Sequence, residues 1–119
     1  MGDNDLDAKM VLGKHCFTEV YECDHKLLDD EEFLKEQIIA SINKTELTLV
    51  GIYSHKFNPQ GVTVVALLSE SHISIHTWPE NGSAALDVFT CGETNPEIAM
   101  LHMILALRSK TYNTKCIER

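Results

Sequence analysis

The sequence is poor in basic residues and has no long apolar run. Ten Lys and Arg stand against eighteen Asp and Glu, which gives a formal net charge of -8 at pH 7. Nucleic acids and anionic membranes bind clustered Lys and Arg, so this charge argues against either as the main partner. No stretch approaches the roughly 20 apolar residues that cross a bilayer. The N-terminus is acidic where a secretion signal needs a basic start and an apolar stretch, so we expect a cytoplasmic protein.

The sequence also lacks any Cys-x-x-Cys pair, which argues against a zinc ribbon and a thioredoxin-type redox site. Its four cysteines are Cys16, Cys23, Cys91 and Cys116. In a cytoplasmic protein we expect all four to be reduced thiols. We predict Cys16 and Cys23 on opposite faces of one strand, which disfavours a metal site shared by the two.

The length of 119 residues and the 44% hydrophobic content indicate one folded domain. Asp3, Asp5 and Asp7 lie in an opening segment without a periodic apolar face. We therefore predict a mobile acidic tail over residues 1–12 and a single domain over residues 13–119.

Periodic apolar patterns predict six strands and two helices. The strands are predicted over residues 14–22, 47–57, 62–69, 72–78, 83–91 and 111–117. The first helix is capped by Asp29 or Asp30, and the second is capped by Asn95. The apolar residues predicted to be buried on the first helix are Phe33, Leu34, Ile38, Ile39 and Ile42, and those on the second are Ile98, Met100, Leu101, Ile104 and Leu105. This order predicts an α+β two-layer sandwich, with a largely antiparallel sheet and two helices on one face.

Alternation along two of the strands predicts what each face of the sheet carries. Ile73 and Ile75 share one face of their strand, and Ala84, Leu86 and Val88 share one face of theirs. These aliphatic sets form the predicted floor beneath the helices. The other face receives His72, Ser74, His76 and Trp78 from one strand and Ala85, Asp87, Phe89 and Cys91 from the next. Two helices cover one face only, so the second face is predicted to be a site, a dimer surface or both.

Two segments resemble a known enzyme family. They are Ser-Glu-Ser-His-Ile-Ser-Ile-His-Thr-Trp-Pro-Glu over residues 69–80 and Asp-Val-Phe-Thr-Cys-Gly-Glu over residues 87–93. Together with Tyr-Glu-Cys-Asp at 21–24 and His-Lys-Phe-Asn-Pro-Gln-Gly at 55–61, they resemble the short prokaryotic class of S-adenosylmethionine decarboxylases. The resemblance covers nearly the whole chain after the tail.

The resemblance implies an enzyme that makes its own cofactor by self-cleavage. The hydroxyl of Ser71 attacks the carbonyl of Glu70, and the resulting ester is eliminated. The chain is thereby cut between Glu70 and Ser71 into residues 1–70 and 71–119, and position 71 becomes a pyruvoyl group. A serine hydroxyl is a poor nucleophile, so this step needs strain, nearby bases and a stabilised oxyanion. No metal is implied.

The resemblance also implies roles for individual residues. His76 matches the proton acceptor of processing, and Thr63 matches a position, usually serine, whose hydroxyl supports processing. Because His76 is five residues from Ser71, a turn at Ser71 is expected to bend the backbone. Cys91 matches the proton donor of decarboxylation, while Phe57 and Glu80 match the residues that stack on adenine and accept bonds from ribose hydroxyls.

The implied reaction is the decarboxylation of S-adenosylmethionine through a Schiff base to the pyruvoyl group, which yields the aminopropyl donor for spermidine synthesis. The resemblance also implies a homodimer of cleaved protomers with the active sites near the interface. Two alternatives remain open: a pyruvoyl-dependent decarboxylase of ornithine or arginine on the same fold, and an uncleaved non-catalytic partner subunit. His72 and His76 on one strand face could ligate a metal, but no third ligand is evident from the sequence.

Overall fold

An antiparallel sheet organises the chain in the computed structural model, which describes residues 10–119. Within these residues the strands are β1 (Gly13–Tyr21), β2 (Leu49–Lys56), β3 (Val62–Leu68), β4 (Ser71–Trp78), β5 (Ser83–Cys91) and β6 (Thr111–Glu118). They lie in the order β2-β3-β4-β5-β1-β6, and every neighbouring pair is antiparallel. The helices are α1 (His25–Leu28), α2 (Glu31–Asn43) and α3 (Pro96–Ala106), with a 3₁₀ turn at Pro79–Asn81. The predicted α+β class is confirmed.

Each of the two long helices begins directly after a capping residue. The Asp30 carboxylate accepts a hydrogen bond from the Phe33 N–H at 3.0 Å, so Asp30 rather than Asp29 caps α2. The Asn95 side chain accepts from the Glu97 N–H at 2.9 Å, and Pro96 occupies the first turn of α3. The short helix α1, capped by Asp24, is an element that the sequence patterns did not predict.

The core lies between the helices and one face of the sheet. The predicted floor residues on β4 and β5 are all buried there, which confirms the alternation. Larger side chains from α2 and α3 cover this floor: Leu34, Ile38, Ile42, Met100, Met103 and Ile104. The opposite side of the sheet, which we call the open face, carries no helix from the described residues. Both parts of the predicted two-layer arrangement are therefore confirmed.

The predicted buried side of the second helix is partly wrong. Ile98, Leu101 and Leu105 are 46%, 52% and 68% exposed, whereas Ala99 and Met103 are fully buried. The helix is apolar almost all round, so its spacing alone does not fix its rotation. On α2, likewise, Ile39 is 36% exposed, while Leu34, Ile38 and Ile42 form the buried stripe.

The prediction of four reduced cysteines is also wrong. Cys16 on β1 and Cys116 on β6 lie directly opposite each other, with Cα atoms 4.0 Å apart, and their sulfur atoms form a disulfide. Cys23 and Cys91 are free thiols. Strand β1 ends at Tyr21, before a left-handed Glu22 (φ 57°), so Cys23 lies beyond the strand on which it was predicted.

Most of the predicted tail, residues 1–12, lies outside the described residues. Residues 10–12 are exposed and belong to no helix or strand. Among the described residues, no helix is long and apolar enough to span a membrane.

Candidate functional site

The residues of the predicted cut form one group, which we call the serine cluster (Glu70, Ser71 and Cys91). Ser71 is the first residue of β4 and is 94% buried, since only 6% of it is exposed. The backbone N–H of Cys91 donates to the Ser71 hydroxyl oxygen at 3.3 Å, and the Cys91 thiol donates to the Glu70 carbonyl oxygen at 2.6 Å. Cys91 thus contacts both the nucleophile and the carbonyl of the predicted cleavage.

A tight turn presents the Glu70–Ser71 bond at this place. Ser69 and Glu70 form the turn between β3 and β4, and Glu70 adopts a left-handed backbone with φ 64°. A residue other than glycine pays a steric cost in this region, so the bond next to it is held in an uncommon conformation. The turn precedes Ser71, so the bend expected at Ser71 itself lies before it in the chain.

Two other predicted residues form a second group, which we call the histidine cluster (Thr63 and His76). They are directly opposite each other on β3 and β4, and the Thr63 hydroxyl oxygen lies 3.0 Å from His76 Nδ1. Both face the open side of the sheet, and His76 is exposed. The hydroxyl thus orients the imidazole and leaves its other ring nitrogen free to face a reacting group.

The predicted adenosine-binding residues meet the histidine cluster in one pocket of about 380 Å³. We call it the hairpin pocket, because it lies against the turn that joins β2 to β3. Its lining residues are Phe57, Gln60, Gly61, Thr63, His76, Thr77, Trp78 and Glu80. The Phe57 ring is 47% exposed and offers a flat apolar surface, while the Glu80 carboxylate offers hydrogen-bond acceptors.

Within one chain the two clusters are not brought together. Ser71 and His76 are five residues apart on a regular strand, a separation of about 16 Å. Their side chains also point to opposite faces, Ser71 toward the helices and His76 toward the open face. The serine cluster and the hairpin pocket therefore occupy opposite ends of β4.

The open face also carries a hydrogen-bonded group that was not predicted, which we call the Asp87 group (His15, His72, Ser74, Asp87 and Arg119). Asp87 on β5 accepts from His15 Nε2 at 2.7 Å, from His72 Nε2 at 2.9 Å and from the Ser74 hydroxyl. Arg119 donates to His15 Nδ1 at 3.1 Å. Because a guanidinium can only donate, His15 Nδ1 carries no proton, and its Nε2–H points at Asp87. Burial raises the pKa of Asp87, but the bonds from Ser74, His15 and His72 outweigh it and hold the pKa below its usual value.

The Asp87 group contains residue types that bind metals, but its ligand atoms are hydrogen-bonded to one another. The ligand atoms of His15, His72 and Asp87 lie within 4.8 Å of one another. A metal on His15 Nε2 would displace its proton while the Arg119 cation stays close to the same ring, which is electrostatically unfavourable. A second group of this kind joins Glu97 to Cys16 and Cys116, whose sulfur atoms are bonded to each other. The contact between His15 and Asp87 could not be predicted from the sequence patterns, because it depends on β1 lying beside β5 in the sheet.

The chain belongs to the S-adenosylmethionine decarboxylase family, whose sequence profile matches residues 14–119. A protein of Synechococcus sp. (strain WH7803) named S-adenosylmethionine decarboxylase proenzyme is 55% identical over 110 residues, which cover 92% of this chain and 86% of the relative. A protein of the same name from Prochlorococcus marinus (strain MIT 9313) is 50% identical over 110 residues, 92% of this chain and 88% of the relative.

The fold has a close counterpart among solved structures. The crystal structure of the adenosylmethionine decarboxylase from Aquifex aeolicus VF5 superposes with a TM-score of 0.86 at 36% identity. The match covers 93% of this chain and 92% of that one. The family membership expected from the sequence motifs is thereby confirmed.

Proposed function

We propose that the chain is a self-cleaving proenzyme that decarboxylates S-adenosylmethionine. The observation that carries the proposal is the double contact of Cys91, with the Ser71 hydroxyl on one side and the Glu70 carbonyl on the other. These are the two groups that must react for the chain to cut itself at this bond. The names of the relatives, which call them proenzymes, support the same reading.

The cut follows from the groups in the serine cluster. The Ser71 oxygen attacks the Glu70 carbonyl carbon, a C–O bond forms, the C–N bond breaks, and the amide becomes an ester with a free amine at position 71. The Cys91 thiol, bonded to the Glu70 oxygen at 2.6 Å, stabilises the negative charge that develops there. We assign His76 as the base that takes the Ser71 α-proton; the Glu70 carboxylate then leaves and dehydroalanine remains. Its tautomer reacts with water, releases ammonia and leaves a pyruvoyl group.

The serine cluster suits such a group, because position 71 is 94% buried, with 6% exposed, and begins a strand that holds it in place. Covalently held at position 71, the pyruvoyl group supplies a carbonyl that condenses with the substrate α-amine and accepts the electrons released as carbon dioxide leaves. Cys91 is the adjacent group with a proton to give, and we assign it as the donor to the substrate carbon. The proposal uses no metal.

The hairpin pocket provides the substrate specificity in this proposal. An adenine ring stacks on Phe57, and the ribose hydroxyls donate to the Glu80 carboxylate. The sulfonium is a permanent cation, so the nearby aromatic faces of Phe57 and Trp78 also stabilise it. Ornithine and arginine have neither adenine nor ribose, so they would leave this pocket unused. The product would serve as the aminopropyl donor for spermidine synthesis, and we place the enzyme in the cytoplasm.

The separation of the two clusters favours an active site shared by two copies of the chain. In a two-fold dimer, each contact between two different residues occurs twice. The Cys91 side chain of the serine cluster lies on the open-face side of β5, so pairing through the open faces can set the serine cluster of each protomer against the histidine cluster of the other. The open face exposes the apolar side chains that such an interface needs, namely Tyr53, Val65, Leu67 and Trp78. We therefore propose a homodimer with two composite sites.

Subunit complementation tests both the cut and the shared site. Ser71→Ala and His76→Ala chains are each expected to stay uncut when produced alone. In a mixed dimer one site contains both changes and the other is intact, so the His76→Ala chain is expected to be cut when the two are produced together. Denaturing electrophoresis of differently tagged chains reads the result. Cutting that never appears in the mixture would contradict the shared site, and an uncut wild-type chain would indicate the non-catalytic alternative.

A substrate panel separates the remaining alternatives. We expect carbon dioxide release from S-adenosylmethionine and none above background from ornithine or arginine, measured with the cleaved wild-type protein. The uncleaved Ser71→Ala protein is the control, because it lacks the carbonyl group. Release from ornithine or arginine in preference would overturn the assignment of the substrate.

A further inference from the structure

We propose that Cys16 and Cys116 form a thiol–disulfide exchange site that covalently joins the two chains produced by cleavage. The inference rests on the proposed cut between Glu70 and Ser71, which leaves Cys16 on the 1–70 chain and Cys116 on the 71–119 chain. The two residues are 100 positions apart in sequence but directly opposite in the sheet. Their bond therefore connects two polypeptides after processing, whereas before processing it closes a loop within one.

The strand order explains why the link lies where it does. Strand β1 belongs to the 1–70 chain but lies between β5 and β6, which both belong to the 71–119 chain. Strand β6 is the sheet edge next to β1, and all its residues are exposed. Among the strands it pairs with β1 alone, so its place in the sheet depends on its contacts with that one strand. A covalent bond between β1 and β6 fixes the most weakly held strand of the smaller chain to the larger chain.

The two cysteines differ in burial, and this difference determines which of them reacts first. Cys116 is exposed and Cys16 is fully buried, with 0% exposure. The Cys116 thiolate attacks a small-molecule disulfide such as glutathione disulfide, forms a mixed disulfide and releases one thiolate. The Cys16 thiolate then attacks the Cys116 sulfur and releases the second thiolate. Two protein thiols are oxidised and one glutathione disulfide is reduced to two thiols. Excess glutathione reverses the process: one thiolate attacks Cys116 and releases Cys16, and a second attacks the glutathione sulfur of the mixed disulfide, which releases Cys116 and forms glutathione disulfide.

The other two cysteines are poor competitors for this reaction. Cys23 is 5% exposed, and burial raises its pKa to about 11, so little of it is the reactive thiolate at neutral pH. Cys91 lies opposite Gly13 on β1, so no cysteine faces it across that pair of strands. Only Cys116 combines exposure with a second cysteine directly opposite, which makes the Cys16–Cys116 pair the expected product.

The test compares the protein with and without reductant after cleavage is complete. Wild-type protein is incubated with glutathione disulfide, its free thiols are blocked by alkylation, and it is analysed by denaturing electrophoresis and intact mass. We expect one species containing both chains without reductant and two separate chains after reduction. Cys116→Ser is expected to give two separate chains under both conditions. Cys23→Ser is the matched control and is expected to keep the link.

Two outcomes would overturn the proposal. One is a cleaved wild-type protein whose chains separate without reductant after oxidation, and the other is a linked species that persists in Cys116→Ser. Failure of the cut itself has a different signature, because the intact chain then runs as one species under both conditions. In that case a proteolytic peptide joining Cys16 to Cys116, found without reductant and absent after reduction, still reports whether the bond forms.

Discussion

At the scale of a single residue, the proposed mechanism gives Cys91 two distinct tasks. In the intact chain its thiol donates to the Glu70 carbonyl, which we propose is attacked by Ser71, and in the mature enzyme we assign it as a proton donor. Its backbone N–H, which contacts Ser71, is independent of the side chain. Substitutions that keep or remove a donor at this position can therefore separate the two tasks.

Cys91→Ser is expected to be cut at nearly the wild-type rate, because a hydroxyl can still donate to the Glu70 carbonyl. Decarboxylation is expected to fall about 10²- to 10⁴-fold, since a hydroxyl is a far weaker acid than a thiol. Cys91→Ala loses the donor and is expected to cut about 10²-fold more slowly. Time courses of chain cleavage and of carbon dioxide release measure the two effects. Equal cleavage by both variants would remove the thiol from the cutting step.

Phe57→Ala is expected to weaken binding of S-adenosylmethionine by about 1–3 kcal/mol, the usual range for a base stacked on an aromatic ring. Calorimetric titration with a non-reacting analogue of the substrate measures this loss. Tyr112→Ala, which removes an exposed aromatic ring from β6, is the control and is expected to bind normally. Unchanged affinity in Phe57→Ala would place the adenine elsewhere.

Asp87 gives the protein a pH dependence of stability. Its folded pKa is below the usual value, so its contribution is fully present above the unfolded pKa of about 3.9 and is lost as pH falls through the folded value. Asp87→Asn is expected to be less stable than wild type at pH 7 and to lose less stability on acidification. Thermal unfolding between about pH 7 and pH 3 measures the two slopes. Glu46→Gln, at an exposed site, is expected to follow wild type.

At the scale of elements, a side chain from the loop between α1 and α2 holds the hairpin turn in place. The Asp29 carboxylate accepts from the Gly61 N–H at 2.8 Å and from the Lys56 ammonium at 3.0 Å. Phe57 lies between these two residues in sequence, and its own N–H donates to the Gly61 carbonyl at 2.8 Å. The contacts from Gly61 and Lys56 lower the pKa of Asp29. Asp29 therefore positions the ring that we assign to the adenine.

Asp29→Ala is expected to raise the KM for S-adenosylmethionine about 2- to 10-fold, the worth of one hydrogen bond, with little change in kcat. The contacts of Asp29 are to Gly61 and Lys56 and not to the groups assigned to the reaction, so the chemical step is expected to be unaffected. Asp29→Asn keeps an acceptor oxygen for Gly61 and is expected to recover much of the loss. Steady-state kinetics separates the two constants. A fall in kcat at unchanged KM would contradict a positioning role.

The strands were more predictable than the rotation of the helices or the state of the cysteines. Alternation placed the floor residues of β4 and β5 correctly, because a period of two admits only two faces. Helix α3 is apolar on most sides, so only its packing on the sheet shows that Ala99 and Met103 face inward. The disulfide forms because β6 lies beside β1, and the spacing of the cysteines in the sequence does not predict that pairing. The site motifs supplied the candidate residues, but they do not show that these residues are divided between the two ends of β4.

At the scale of the whole molecule, the open face is the surface on which the proposed dimer depends. It carries the histidine cluster, the Asp87 group and the apolar side chains described above. The exposed apolar residues of α3 lie on the other side of the sheet. One variant with a new charge on the open face can therefore be compared with another that has the charge on α3. The comparison separates loss of an interface on the open face from a general effect on solubility.

Leu67→Asp is expected to give a monomer that is not cut, because Leu67 lies on the open face and is 47% exposed. A buried carboxylate without a partner strongly disfavours association. Leu105→Asp, at a site on α3 that is 68% exposed, is the matched control and is expected to remain dimeric and to be cut. Sedimentation gives the mass, and electrophoresis gives the cleavage. A Leu67→Asp protein that is dimeric and cleaved would contradict the proposed interface.

In the proposed mechanism, the contacts made by Cys91 also determine when the chain can cut itself during biosynthesis. Both groups that they engage belong to the turn and the strand start around position 70, twenty residues earlier in the chain than Cys91. A nascent chain that has just emerged from the ribosome as far as Ser71 lacks the strand that completes this arrangement. On this proposal the cut occurs only after β5 has been synthesised and paired with β4, so incomplete chains are not cut.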